Sequence, residues 1–257
     1  RVLRFIDLGY KEPPVFCHKL EERVSLVKLI PGMDADLLAY ALEHNRALVV
    51  ESFGVGGVPG RHSRFYEVIA SAVEAMETGN ANLAACVVAG DREIDLAENH
   101  IEETCLEILA LYQPVAGDLR RVMTIFKVNG EIERAGDLAV AIARHVAAVA
   151  ARPPAIPWSF AEIGMRAREQ FAAALRTLRE HDATGAHAVI EADDAIDALY
   201  RAGAARAAAC IREDPAGANA YLAALSVFRA LERVGDVATN IAEDVIYLET
   251  AELVRHG

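Results

Sequence analysis

Ile132-Glu133-Arg134-Ala135-Gly136-Asp137 returns as Leu231-Glu232-Arg233-Val234-Gly235-Asp236, 99 positions later (133 to 232). A second pair of acids precedes each copy: Asp91-Arg92-Glu93-Ile94-Asp95 returns as Asp193-Asp194-Ala195-Ile196-Asp197, 102 positions later (91 to 193). Two blocks in the same order at nearly the same offset make an internal duplication. Each block has the form acid-x-x-x-Asp in helical sequence, and positions i and i+4 share one helix face. Two carboxylates so placed repel, and need either water or a cation. Ile94, Ile132, Ile196 and Leu231 flank them with an apolar stripe. This puts the acids at a helix seam, where charge must be paired or bound to metal. Gly136 and Gly235 lie mid-helix at a cost of about 1 kcal/mol each against alanine. A matched cost in both copies predicts that something approaches the backbone there.

The 257 residues suffice for two modest domains or one large one, and just over half are apolar. A net charge of −12 argues against a nucleic-acid partner and suits a protein that collects cations or docks on basic partners. Cys17, Cys86, Cys105 and Cys210 show no CxxC spacing and sit in apolar contexts, so buried free thiols in a reducing cytoplasm are expected. The most apolar stretch, 139–151, is interrupted by Arg144 and His145 and is too short to span a membrane. No signal peptide is visible. Because residue 1 is Arg rather than Met, the numbered chain is expected to begin inside a longer product.

Residues 1–64 read differently from the rest. Strand-like runs at 23–30 and 47–53 enclose a short helix, 35–43, capped by Asp34, and a glycine-rich turn follows at 54–60. This predicts a short N-terminal β-α-β segment. From Phe65 the pattern is helical: 65–77, a long helix capped by Asn80 and ending at Gln113-Pro114, and a third opened by Asp118 and running to 151. Arg152-Pro153-Pro154 to Pro157 is the clearest linker. A second triplet follows at 160–180, 183–212 and 216–255. Short connections make sequential helices antiparallel neighbours. The expected fold class is therefore mainly all-α, two tandem three-helix bundles over 65–151 and 158–257 behind the segment 1–64. Alanine-rich runs at 172–174 and 207–209 favour close helix approach.

Asp91-Arg92-Glu93-Ile94-Asp95, the run Gln113 to Arg120, Glu133 to Asp137, Asp197 to Tyr200 and Glu232 to Glu243 resemble the PhoU family of phosphate-uptake regulators, over roughly 66–250. The resemblance implies paired three-helix bundles, each holding a multinuclear metal cluster on its acidic motifs, iron first, with zinc, manganese or magnesium as alternatives. It also implies a cytoplasmic, non-enzymatic regulator. Its partners would be the phosphate ABC transporter ATPase and a phosphate-sensing histidine kinase, with the protein peripheral to the membrane through them, and a homo-oligomer is expected. The family's first helix is about twice as long as 65–77. Its front half is replaced here by a piece, 13–75, whose Val27 to Met33 and Val49 to Pro59 resemble the C-terminal domain of bacterial L-asparaginases. Nothing in the chain matches that family's nucleophilic threonines, so this piece is expected to be inert.

The metal candidates are Asp91, Asp95, Glu133 and Asp137 in the first repeat, and Asp193, Asp197, Glu232, Asp236, Asn240 and Glu243 in the second. All are oxygen donors, which favours hard cations over structural zinc. Ala141 and Arg144 stand where the second repeat has Asn240 and Glu243, so the first cluster is expected to be the poorer. His100 and His145 read as surface or interface residues and Asp118 as a helix cap. A carboxylate-bridged di-metal oxidoreductase is the enzyme alternative, but it calls for Glu-x-x-His pairs, and none stands at the motifs. An inactive asparaginase-derived fusion is the third reading.

Overall fold

The computed structural model describes residues 24–29, 47–52, 63–150 and 159–255. The chain divides into two compact units, Arg1–Gly54 and Val55–Gly257. In the first, strands β1 (Val24–Leu29) and β2 (Ala47–Ser52) pair in parallel, Val24 opposite Ala47 through Leu29 opposite Ser52. The expected helix 35–43, the glycine turn 54–60, the linker 152–157 and Cys17 lie outside the described residues.

The second unit carries seven α-helices among its described residues: α1 (Ser63–Thr78), α2 (Ala81–Tyr112), α3 (Ala116–Ala150), α4 (Ala161–Glu180), α5 (Ala183–Glu191), α6 (Asp193–Glu213) and α7 (Ala218–Thr250). Asn80 caps α2 by accepting from the amides of Asn82 and Leu83, and Asp182 caps α5 by accepting from Gly185. The acid at Asp118 proves to lie inside the first turn of α3 rather than to cap it, beside Arg121 at 3.8 Å. α7 stops at Thr250, short of 255, where Ala251 takes a left-handed φ of 62°.

A second departure concerns the predicted helix 183–212, which breaks at Ala192 into α5 and α6. Gln170 of α4 supplies the cause. Its Nε2 donates to the carbonyl of Val189 at 3.0 Å, a side chain inserted into the turn where the helical ladder is interrupted.

α1, α2 and α3 form one bundle, and α4, α5, α6 and α7 the other. The bundles share a hydrophobic core running from Ile69, Ala72 and Val73 of α1 through Ala139 and Ile142 of α3 to Phe171, Leu231 and Ile241. The most extensive helix pair is α3 against α7, one helix from each repeat. Where α4 meets α1, a Cβ on Gly164 would stand 2.8 Å from the methyls of Val73, so only glycine admits that packing. Glu77, ending α1, accepts from Ser159 and from the Phe160 amide, setting a carboxylate at the positive N-terminus of α4. Of the alanine runs, Ala174 and Ala207 are fully buried. Cys105 is buried, and that burial pushes its thiol pKa up, but Cys86 is exposed and Cys210 half-buried, against the expectation of uniformly buried thiols.

Candidate metal centre

The acid-x-x-x-Asp spacing sets Asp91 and Asp95 on one side of α2, and helix packing brings Glu133 and Asp137 of α3 opposite them. The crowding is electrostatic. Glu133 has its pKa raised to about 7 by burial and then by Asp137, Glu98, Asp95 and Asp91. Asp91 is raised by burial, Asp95 and Asp137, against a lowering by Arg144. Glu98 is raised by burial, Glu102, Asp95 and Asp137. The first cluster therefore contains five carboxyls, with Glu98 a member the motif reading missed. The signal was present, since Glu98 stands seven residues after Asp91 on the same helix face.

In the second repeat, Asp193 is buried at 8 % exposure, while Asp197 and Glu232 are half-buried. Burial, Asp236, Asp197 and Asp193 raise Glu232, with Arg229 opposing. Burial and Asp197 raise Asp236, with Arg134 and Arg233 opposing. Asp197 also pairs with Arg201 at 3.1 Å. Asn240 lies one turn beyond Asp236 and also reaches the first repeat. Its Nδ2 donates to Glu131 Oε1 of α3 at 3.3 Å, and Glu243 is half-buried one turn further on. Among the described residues, no three His, Cys, Asp or Glu side chains are already closed on one point as a metal would require.

The glycines now have an explanation. A Cβ on Gly235 would stand 2.7 Å from Asp193 Oδ1, 3.1 Å from Gln170 Oε1 and 3.3 Å from Ile196 Cδ1. A Cβ on Gly136 would meet Ile94 Cδ1 at 2.9 Å and Asp91 Oδ1 at 3.4 Å. In both copies, what approaches the backbone is the acid and isoleucine of the facing motif.

The repeats are stitched together by polar groups outside the motifs. Lys127 Nζ meets Asp244 Oδ1 at 2.9 Å, and both Lys127 and Arg120 lie 5.9 Å from the Tyr247 ring centre. Arg120, in the run Gln113–Arg120, thereby gains a role as a clasp on the second repeat. Glu131 has its pKa raised mainly by burial, and its Oε2 is buried without a hydrogen-bond partner.

The shift on Glu133 gives a pH prediction. Folded Glu133 keeps its proton between its ordinary 4.5 and about 7, while the unfolded chain has lost it. Stability present below pH 4.5 is therefore lost as pH rises toward 7. Glu133→Gln, which cannot ionise, should match the parent near pH 4 and exceed it at pH 8 in EDTA-treated protein. The difference should be modest, because water screens a half-exposed group. Urea midpoints whose gap does not change with pH would sink this.

No helix among the described residues is long and apolar enough to cross a membrane. The PhoU domain family matches residues 64–146 and 160–245. A relative from Aquifex aeolicus, named a phosphate-specific transport system accessory protein PhoU homolog, is 37% identical over 74% of this chain and 86% of its own length. One of the same name from Deinococcus radiodurans is 37% identical over 70% of this chain and 84% of its own. The crystal structure of PhoU from Pseudomonas aeruginosa superposes with a TM-score of 0.71 at 32% identity, covering 74% of this chain and 92% of that one. PhoU from Streptococcus pneumoniae gives 0.71 at 27% identity, covering 77% and 93%. With two matched domains that coincide with its two acidic repeats, the chain belongs to the PhoU family.

Proposed function

We propose that this protein is a cytoplasmic, non-enzymatic regulator of phosphate uptake that holds hard cations on its two acidic clusters and acts by protein–protein contact. The observation that carries the metal reading is the repeated confrontation of carboxyl pairs across two helix pairs, with pKa values raised by burial and mutual repulsion. A cation would relieve that repulsion, and the all-oxygen donor set suits iron, manganese or magnesium. The proposed ligands are Asp91, Asp95, Glu98, Glu133 and Asp137 in one cluster, and Asp193, Asp197, Glu232 and Asp236, with Asn240 and Glu243 further along α7, in the other. Asn240, whose Nδ2 is engaged with Glu131, would contribute through its carbonyl oxygen. A bound cation would fix the relative position of the two helices of each pair. Regulation of phosphate uptake rests on family membership and on relatives named accessory proteins of phosphate-specific transport. The partners in this reading are a phosphate transporter ATPase and a phosphate-sensing histidine kinase, and the relatives' names support a transport system as the setting.

The sequence suggested that the second cluster is the richer. Glu98 offsets that difference, and Arg134, Arg201, Arg229 and Arg233 surround the second cluster where Arg144 opposes the first. Glu133→Ala with Asp137→Ala and Glu232→Ala with Asp236→Ala should therefore each remove a comparable share of bound metal, and the quadruple variant nearly all of it. Elemental analysis of purified protein, run beside an asparagine-hydrolysis assay, tests this. Metal content untouched by the quadruple variant, or measurable amidohydrolase activity, would overturn the reading.

A further inference from the structure

We infer that Gln170, from α4, completes the second acidic cluster, fixing Asp193 in place with its amide nitrogen and presenting its carbonyl oxygen as a neutral donor to the cation. This rests on the metal reading above and extends it to a residue outside both motifs. Gln170 is 5 % exposed, on the buried face of α4 beside Phe171. Its Nε2 donates at once to the Val189 carbonyl at 3.0 Å and to Asp193 Oδ1 at 3.2 Å. Both partners are acceptors, so the amide has one orientation: nitrogen toward α5 and Asp193, oxygen away from them. That oxygen, Oε1, is buried with no hydrogen-bond partner. An unpaired buried carbonyl is costly and calls for an explanation.

Its position supplies one. Oε1 and Asp193 Oδ1 both stand over the backbone of Gly235, 3.1 and 2.7 Å from where a Cβ would be, one residue before Asp236. An amide carbonyl is a hard oxygen donor of the kind that calcium, magnesium and manganese accept beside carboxylates. The first repeat has no counterpart. Counting back 102 positions, Ile69 matches Phe171 and Asn80 matches Asp182, and the residue matching Gln170 is Val68. At this position one copy has a buried polar side chain where the other has an apolar one, and the polar side chain lies against that copy's buried acid.

The test uses the full chain carrying Glu133→Ala and Asp137→Ala, so that the second cluster alone reports. Binding of Mn²⁺ is followed by calorimetry and by the electron-paramagnetic signal of the free ion. Gln170→Val should weaken Mn²⁺ binding roughly tenfold or more, the scale on which ligand-orienting groups act. Gln170→Glu gives up both donated hydrogen bonds but keeps an oxygen at the site and adds a negative charge that offsets the lost orientation of Asp193, and should hold Mn²⁺ within about threefold of the parent. Parental affinity in Gln170→Val would overturn the inference. So would an equal loss in both variants, the mark of a residue that braces Val189 and Asp193 without donating an oxygen to the cation. If Gln170→Val fails to fold, Gln170→Glu decides alone, with retained affinity in support and a tenfold loss against. A parent that takes up no Mn²⁺ defeats the metal reading itself. A parent that binds, loses binding in Asp193→Asn, and is unmoved by Gln170→Val defeats this inference alone.

Discussion

Gly235→Val should destabilise the protein by about 3 kcal/mol, the upper range for forcing extra methyls into a packed seam. A side chain on an interior helical glycine would ordinarily help, since glycine is about 1 kcal/mol worse than alanine. Here the first added carbon meets Asp193 Oδ1 at 2.7 Å, and Asp193 is itself pinned by Gln170, so it cannot swing aside. Gly136→Val should cost clearly less. Its nearest neighbour is the flexible tip of Ile94, and Asp91 Oδ1 stands at an ordinary 3.4 Å. Urea unfolding of the two variants measures the ranking. Equal losses, or a larger one at Gly136, would mean that Asp193 is not held as described.

The second large effect is in the core. Phe171→Ala removes a ring with no solvent exposure from a core that contains residues of both repeats. It should cost about 3–5 kcal/mol, a large part of the 5–15 kcal/mol typical of a whole domain. Because the core is continuous from α1 to α7, the loss should lower a single transition and not split the curve in two. Helical circular dichroism and tyrosine fluorescence should therefore report the same midpoint. A first bundle that stays folded after the second has melted would show that the shared core is not cooperative.

The helices and the facing acids were legible because both rest on local periodicity. Asp91, Asp95, Glu133 and Asp137 follow the i, i+4 rule, and the repeat showed that the pattern was not chance. The break at Ala192 was not legible, because its cause is a side chain on another helix, Gln170, reaching a backbone carbonyl. The contact that Asn240 makes was not legible for a related reason. Helical phase gives the face a residue occupies, and on a helix packed from two sides it does not say which neighbour claims it. Asn240 faces Glu131 across the repeats. Glu131 and Lys127 lie outside the motifs, so nothing in the motif reading marked them as contacts. For residues 1–64 the pattern suggested two strands about a helix, and most of that segment, the helix included, lies outside the described residues.

The pairing of α3 with α7 has a bearing on symmetry. Glu131 meets Asn240 and Lys127 meets Asp244, so each step forward on one helix is a step back on the other, and the helices run antiparallel. Two copies of one unit meeting in this way would form a two-fold interface, in which every contact occurs twice. At the 99-residue offset, the second occurrence would need partners at 141 with 230 and at 145 with 226. Those positions hold Ala141, Ala230, His145 and Ser226, with none of the complementary charge. The polar links are thus made once, on one side of the pseudo-axis. A seam keyed on one side only has a single register, and each half is committed to the other as a non-identical mate.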